Sequence, residues 1–259
     1  MRPRCALRTA DTAIWDRGKA GPTRPSGWSQ ALPRLTSDTV TLRQMRPRDA
    51  ASLLSMLASD DVARFISPPP ATTEGFERFI AWADREQTRD TYACFAVVPA
   101  GSDIAVGIFQ IRALDAGFGI AEWGFAMGSA YWGTGLFPES ARLVLDFAFD
   151  VVGVHRLEAR AAVNNGRGNG ALLKMGAVYE GILRRSFTRH GKACNQILWS
   201  ILAEDWRLQR LQQRLRAVMQ GINRRFAEFT AEVPGRPPTS GSLTSSRLTS
   251  PAAYRPVFR

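Results

Sequence analysis

The chain has 259 residues, of which 45% are hydrophobic, so it is long enough for one large domain or two small ones with a substantial core. Its net charge is +11, and nearly all of the positive charge is arginine, because only three lysines are present. Three scattered cysteines are too few for a disulfide framework or a zinc site, and no apolar run approaches the roughly 20 residues of a membrane span, so a cytoplasmic location is predicted.

The composition divides the chain into four parts. Residues 1–35 are rich in proline, glycine and arginine and lack an apolar run long enough for a signal peptide, which predicts a disordered basic extension. Residues 36–203 carry regular apolar patterns and form the predicted domain. Residues 204–232 read as a basic amphipathic helix, and residues 233–259, rich in Pro, Ser, Thr and Gly, as a disordered tail.

The predicted domain begins with a strand at Val40 and Leu42, where apolar and polar residues alternate. Pro47 then opens a first helix, and a second helix follows Thr73. Three apolar runs after these helices predict an antiparallel meander, at residues 92–98, 104–114 and 119–127.

The second half of the domain alternates between helices and strands. A long central helix is followed by a strand at 155–163, a short helix at 167–175 and strands at 178–186 and 195–202. An antiparallel sheet with helices inserted between its strands is an α+β fold.

Residues 123–140 form the centre of this pattern and read as strand, glycine turn and helix. Gly133 and Gly135 provide the φ freedom of a tight turn, and Pro138 is tolerated in a first helical turn. The helix has one narrow polar face as far as Val152, so it is held between layers, and its N-terminal N–H groups can receive phosphate. The spacing fits neither a dinucleotide site nor an NTPase loop, and an ordinary strand-to-helix turn is the alternative.

Four motifs in the same order resemble the ribosomal-protein (Rim-type) branch of the GNAT N-acetyltransferases. They are AEWGF at 121–125, YWGTGLF at 131–137, NGRGNGALLKMGA at 165–177 and EGILR at 180–184. The resemblance spans roughly residues 35–206. It implies the GNAT fold, a mixed and mostly antiparallel sheet flanked by helices. It also implies transfer of an acetyl group from acetyl-CoA to a primary amine, with a protein N-terminal α-amine as the favoured acceptor.

The resemblance also implies which residues contact the cosubstrate. In the family the strand before the glycine turn pairs with the pantetheine arm, while the turn and the helix N-terminus bind the pyrophosphate. The positions that match are Phe125, Ala126, Met127, Trp132, Gly133, Thr134, Gly135, Leu136, Phe137, Asn165 and Asn169. Phe137 departs from the usual small residue. Leu172 and Gly168 stand where the family often has a Tyr or Ser on the short helix, so a general acid is missing there.

Glu122 is the candidate general base, because it lies on the strand that resembles the pantetheine-binding strand. Glu158, on the following strand, is the second candidate. For each carboxylate the alternative is a cross-strand ion pair with an arginine, and for Asn165 the alternative is a helix N-cap.

The C-terminal amphipathic helix has apolar residues spaced by three and four, at 208, 211, 215, 218, 222, 226 and 229. It is predicted to pack on its own domain or on a second subunit, as in a homodimer, with nucleic-acid or membrane binding as the alternative. Two other functions also stay open: a non-catalytic acyl-CoA-binding module and an arginine-rich nucleic-acid-binding protein.

Overall fold

The computed structural model describes residues 27–189 and 191–231, excluding the side chains of residues 226 and 229–231. The predicted disordered tail at 233–259, most of the predicted extension at 1–35 and His190 lie outside the described residues.

One sheet of eight strands organises the described chain, in the spatial order β1-β2-β3-β4-β5-β6-β8-β7. The strands are β1 Leu35–Thr36, β2 Val40–Gln44, β3 Tyr92–Pro99, β4 Gly107–Ala113, β5 Ile120–Met127, β6 Arg156–Ala162, β7 Val178–Arg189 and β8 Lys192–Leu202. Neighbouring strands are antiparallel except β5 and β6, which are parallel. The prediction of a mixed, mostly antiparallel α+β fold is confirmed.

Within the described ranges, six α-helices connect or flank these strands. They are α1 Ala50–Leu57, α2 Asp60–Ala63, α3 Thr73–Thr88, α4 Leu136–Asp146, α5 Gly166–Lys174 and α6 Ala203–Ala231. The Thr72 side chain caps α3 by accepting the N–H of Gly75. The central helix predicted to reach Val152 is α-helical only to Asp146 and continues as a π-helical segment, Phe147–Val152.

Both faces of the central strands are buried, which explains the unbroken apolar run of β3. Ala93, Phe95 and Val97 face a cluster built with α4 and the π-helical segment. Tyr92 and Cys94 point to the opposite face, where they pack with side chains of α1 and α3. The sheet therefore lies between two helical layers over β2–β5.

The sheet divides where β5 meets β6. These strands pair only over Ile120–Glu122 and Arg156–Glu158. On the other side of β5, Leu114 donates to the carbonyl of Ile120, and Gly128 donates to Val106. Since hydrogen bonding alternates along a strand, the even-numbered residues of β5 bond to β4, and the N–H groups of Phe125 and Met127 face the gap between the parting strands.

Residues 27–35 correct the predicted disordered extension, because this segment packs on the domain. Trp28 is buried, its ring meets Phe118 and Phe147 edge-on at 5.6 and 6.1 Å, and its carbonyl accepts from Gln87 Nε2 at 3.2 Å. The strand predicted to start at residue 104 instead begins at Gly107.

The described residues as far as Arg210 belong to one compact unit, and those from Leu211 belong to a second. In the first unit, the start of α6 is fixed by polar contacts: Trp206 Nε1 donates to Asp146 Oδ1 at 2.8 Å and Arg210 donates to Asp146 Oδ2 at 2.9 Å. The C-terminal boundary of the first unit therefore lies about two helical turns beyond residue 203, the predicted end of the domain. Among the described residues, no helix has the length and hydropathy needed to cross a bilayer.

Candidate active site

The glycine turn connects the end of β5 to α4. Gly133 and Gly135 have φ values of +78° and +88°, in the left-handed region that other residues rarely adopt. A Cβ placed on either glycine would meet no atom within 4 Å, so both face open space. Thr134 supports the turn by donating its hydroxyl hydrogen to the carbonyl of Tyr131 at 2.8 Å.

The turn and the start of α4 leave N–H groups available to a ligand. Leu136 N–H has a long contact of 3.4 Å with Thr134 Oγ1. Within the described residues, the N–H groups of Gly133, Gly135 and Phe137 have no hydrogen-bond acceptor. Together with the partial positive charge at a helix N-terminus, these donors form an arrangement suited to phosphate.

A cleft of about 810 Å³ opens beside this turn. Its walls come from the end of β5 and the glycine turn, from the loop before α5 together with α5 itself, and from the segment around α2. Eight of the predicted cosubstrate contacts line it: Phe125, Ala126, Met127, Trp132, Gly133, Gly135, Phe137 and Asn165. The structure thus brings together residues from β5, α4 and the β6–α5 loop.

Three predicted contacts do not line the cleft. Leu136 is buried in the core, and Thr134 makes the turn contacts described above. The Asn169 amide is engaged within the protein: its Nδ2 donates to the carbonyls of Ala162 and Asn165, and its Oδ1 accepts from Trp199 Nε1 at 2.9 Å. The predicted ligand hydrogen bond from Asn169 would therefore have to displace a structural one.

Asn165 has both of the roles between which the sequence left a choice open. Its Oδ1 accepts the N–H of Gly168 at 2.9 Å and so caps α5. It also lines the cleft. Because the cap uses only the oxygen, the amide nitrogen is available to a bound molecule.

Phe137, the bulky departure from the family pattern, forms part of the cleft wall. Its ring lies 4.6 Å from that of Phe125 and 5.7 Å from that of Phe109, between centroids. The side chain therefore packs against the sheet, and this contact fixes its position at the start of α4.

The sequence interpretation missed three cationic residues that line the cleft, Arg64, Arg167 and Lys174. The Arg167 guanidinium lies 4.3 Å from the Trp132 ring centroid, a cation–π contact between α5 and the glycine turn. Among the described residues, neither Arg167 nor Lys174 has an ion-pair partner. The sequence did contain a signal for two of them: Arg167 and Lys174 are seven residues apart, about two helical turns, so both lie on one face of α5.

Neither candidate base lines the cleft. Glu122 and Glu158 are directly paired in register at the short β5–β6 ladder, on the face of the sheet opposite the α4 layer. Glu122 contacts Arg112 at 2.5 Å and Arg160 at 3.4 Å. Glu158 contacts Arg156 at 3.1 Å and Arg160 at 3.6 Å. Glu122 thus has the cross-strand arginine partners named as the alternative to catalysis, whereas both arginine partners of Glu158 lie on its own strand, β6.

A family model described as an acetyltransferase (GNAT) domain matches residues 39–178, which include the meander, the glycine turn and α5. The chain belongs to the GNAT acetyltransferase family. This confirms the predicted fold and the resemblance. The protein is therefore an N-acetyltransferase of the acetyl-CoA-dependent type.

Individual GNAT relatives support the same fold. The uncharacterized N-acetyltransferase p20 of Bacillus licheniformis is 23% identical over 173 residues, 66% of this chain and 97% of its own length. A GCN5-related N-acetyltransferase structure from Brucella melitensis has a TM-score of 0.59 at 23% identity, covering 67% of this chain and 80% of that one. A ribosomal-protein-S5-alanine acetyltransferase from Vibrio fischeri has a TM-score of 0.60 at 19% identity, covering 67% and 98%.

Proposed function

We propose that this GNAT enzyme acetylates protein N-terminal α-amines with acetyl-CoA bound in the cleft between β5 and α5. The observation that carries the proposal is the combination of unpaired N–H groups at the glycine turn with unpaired cations on α5. A cytoplasmic location remains a prediction alongside it, as does a homodimer formed through α6.

The chain's residues fit acetyl-CoA in three respects. The N–H groups of Gly133, Gly135 and Phe137 are available for pyrophosphate oxygens at the start of α4. Arg167 and Lys174 add positive charge beside them, suited to a ligand with several phosphate charges. The N–H groups of Phe125 and Met127 face the gap beyond the short ladder and can pair with an extended amide-bearing arm.

The lining of the cleft supports an α-amine acceptor over a lysine side chain. Among the described lining residues, Asp61 is the only carboxylate and no histidine is present. An α-amine of pKa near 8 is neutral to about 10% at pH 7, whereas a lysine of pKa about 10.4 is neutral to roughly 0.04%. A site with little provision for a base therefore favours the more acidic ammonium. The Vibrio fischeri neighbour, a ribosomal-protein-S5-alanine acetyltransferase, agrees with this choice.

We assign each catalytic task to residues of this chain. Bound acetyl-CoA supplies the activated acetyl group as a thioester. Unpaired β5 N–H groups in the gap are the donors placed to stabilise negative charge on a carbonyl oxygen. Glu122, at the end of the β5–β6 ladder and outside the cleft lining, takes the acceptor's proton through water. Leu172 is buried and Gly168 has no side chain, so α5 provides no acid at these positions, and water or the acceptor ammonium would supply the proton of the leaving thiol.

The test is acetyl-CoA consumption with a panel of peptides that each contain one lysine. A free N-terminal peptide is compared with the same peptide blocked at its N-terminus, and mass spectrometry locates the product. Turnover of the free peptide and none of the blocked one is expected. Acetylation of lysine in both peptides would overturn the α-amine assignment.

The same assay examines the non-catalytic alternative, which the absent acid on α5 keeps relevant. Calorimetry measures acetyl-CoA binding independently of turnover. Binding without turnover of any amine in the panel would identify an acyl-CoA-binding module.

A further inference from the structure

The middle of α6 carries an apolar stripe that is exposed to solvent. Leu211, Leu215, Val218 and Ile222 are 53%, 56%, 58% and 54% exposed. Their spacing of four, three and four follows the heptad spacing of a coiled-coil seam. Exposed apolar surface with this regularity marks an interaction site, because isolated exposed residues would show no period.

We propose that this stripe pairs with α6 of a second copy of the chain in an antiparallel coiled coil. In that arrangement the seam is centred between Leu215 and Val218. Leu215 then faces Val218 of the second copy, and Leu211 faces Ile222 of the second copy. Every layer of the central seam joins two apolar side chains, one of them β-branched.

Charge at the ends of the stripe selects the antiparallel direction. Continuing the heptad towards the N-terminus places Leu208 and then Glu204 at seam positions, and continuing it towards the C-terminus places Arg225 there. A parallel pair would set each of these side chains against its own copy, two like-charge contacts in the seam. In the antiparallel pair, Arg225 faces Leu208 of the second copy and lies about one turn from its Glu204, so no like charges meet in the seam and opposite charges lie near each other at both ends.

The positions beside the seam also fit a second copy. They are Gln212, Arg214, Met219 and Gly221. In the antiparallel pair Gln212 lies beside Met219 of the second copy, and Arg214 lies beside Gly221, so no like charges meet. A helix lying on an anionic bilayer would instead carry basic residues along both edges of its apolar stripe, and here only Arg214 is charged.

The first experiment measures the mass of the full chain in solution by light scattering over a range of concentrations. The wild type should be a dimer. Leu215→Glu, which puts like charges into the seam, should raise the dissociation constant at least about tenfold. Gln213→Glu is the matched control, since it adds the same charge on the opposite face of α6, and it should remain dimeric. Circular dichroism confirms that both variants are folded.

The second experiment establishes direction with variants that each gain one cysteine, in a background where Cys5 and Cys194 are serine and the buried Cys94 is retained. Leu211→Cys and Ile222→Cys proteins are mixed and oxidised. The antiparallel pair predicts disulfides between the two variants, because residues 211 and 222 face each other across the seam. A monomeric wild type overturns the proposal, whether or not the monomer binds anionic vesicles. Disulfides formed only within each variant would overturn the antiparallel direction.

Discussion

Gly135 and Gly153 have the same backbone geometry in two different surroundings, which makes them a matched pair for testing the phosphate site. Their φ values are +88° and +85°, and a Cβ on either meets no atom within 4 Å. Gly153 ends the π-helical segment, whereas Gly135 lines the cleft. A substitution therefore strains the backbone equally at the two positions, but only a substitution at Gly135 can affect a ligand in the cleft.

We expect Gly135→Glu to weaken acetyl-CoA binding by at least about tenfold, because the added carboxylate repels phosphate where the helix N-terminus attracts it. Gly153→Glu should bind normally. Both variants should lose about 1–2 kcal/mol of stability from the left-handed backbone. Calorimetry and thermal melting give the two quantities, and equal affinities for the two folded variants would contradict the phosphate assignment.

The pH dependence of catalysis distinguishes two roles of Glu122, that of a general base and that of a structural ion-pair partner. Glu122→Gln keeps the shape of the side chain and removes the carboxylate, so acetyl-CoA affinity should persist. If the base contributes the usual 10² to 10⁴-fold, about 3 to 5 kcal/mol, turnover should fall at pH 7 and partly recover towards pH 9, where more of an α-amine is neutral.

Glu180→Gln is the control for this experiment, since Glu180 is also ion-paired, to Arg156 at 2.9 Å, and also accepts from Ser200. It should leave the pH–rate profile unchanged. If Glu122→Gln gives the wild-type profile as well, Glu122 is a structural partner of Arg112 and Arg160, and Glu158 becomes the residue to test.

Residue types alone could place the glycine turn but not the charges around it. Gly133 and Gly135 were predicted because left-handed backbone selects glycine locally. Arg167 was missed because its position depends on how α5 packs beside the turn, and the sequence has many arginines. Likewise, the partners of Glu122 come from β4 and β6, so naming them requires the register of two strand pairs.

At the scale of elements, Asn169 ties α5 to two strands. Its amide joins the end of β6 to β8 through the carbonyl of Ala162 and the indole of Trp199. Because Trp199 is buried, removing its N–H leaves Asn169 Oδ1 without that donor. This arrangement makes the contribution of β8 structural, in line with the apolar run at 197–199.

Trp199→Phe should therefore lower the free energy of unfolding by about 1 kcal/mol, the usual net contribution of one hydrogen bond, here to a half-buried acceptor, with little change in turnover per folded molecule. Trp82→Phe is the control, since Trp82 is 39% exposed, and it should stay near wild-type stability. Urea denaturation and initial rates measure the two effects. Normal stability combined with lost acetyl-CoA binding would move Asn169 into the binding site.

The order of the elements followed from sequence, whereas their irregularities did not. Periods of two and of three to four residues located the strands and helices, because they reflect burial on one face. The π-helical segment at Phe147–Val152 has the same apolar pattern as an α-helix, so its wider turn could not be distinguished. Trp28 was missed because it lies alone among glycine, proline and serine, with no period around it.

For the whole molecule, a buried thiol predicts how stability changes at alkaline pH. Burial raises the pKa of the Cys94 thiol to about 12, and burial also raises the pKa of its neighbour Tyr92. An unfolded thiol loses its proton near pH 8.5, so above that pH its ionisation in the unfolded state lowers the free energy of unfolding. The contribution of the protonated Cys94 thiol to stability is fully present below pH 8.5 and is lost as the pH rises towards 12.

Between pH 8.5 and 10, Cys94 should lower the free energy of unfolding by about 2 kcal/mol. Cys94→Ala should remove that part of the pH dependence, while Cys194→Ala, at a partly exposed position, serves as the control. Urea denaturation at the two pH values measures the difference. A Cys94→Ala protein with the wild-type slope would show that other groups cause the alkaline loss.

The parting of β5 from β6 should be visible in the rates at which single amides exchange with deuterium. Gly124 and Ala126 hydrogen-bond to β4 and should exchange slowly, while Phe125 and Met127 face the gap and should exchange fast, giving a two-residue alternation within one buried strand. Acetyl-CoA that pairs with this edge would slow the fast amides alone. Protection of that odd-numbered set would then report occupancy of the cleft one backbone group at a time.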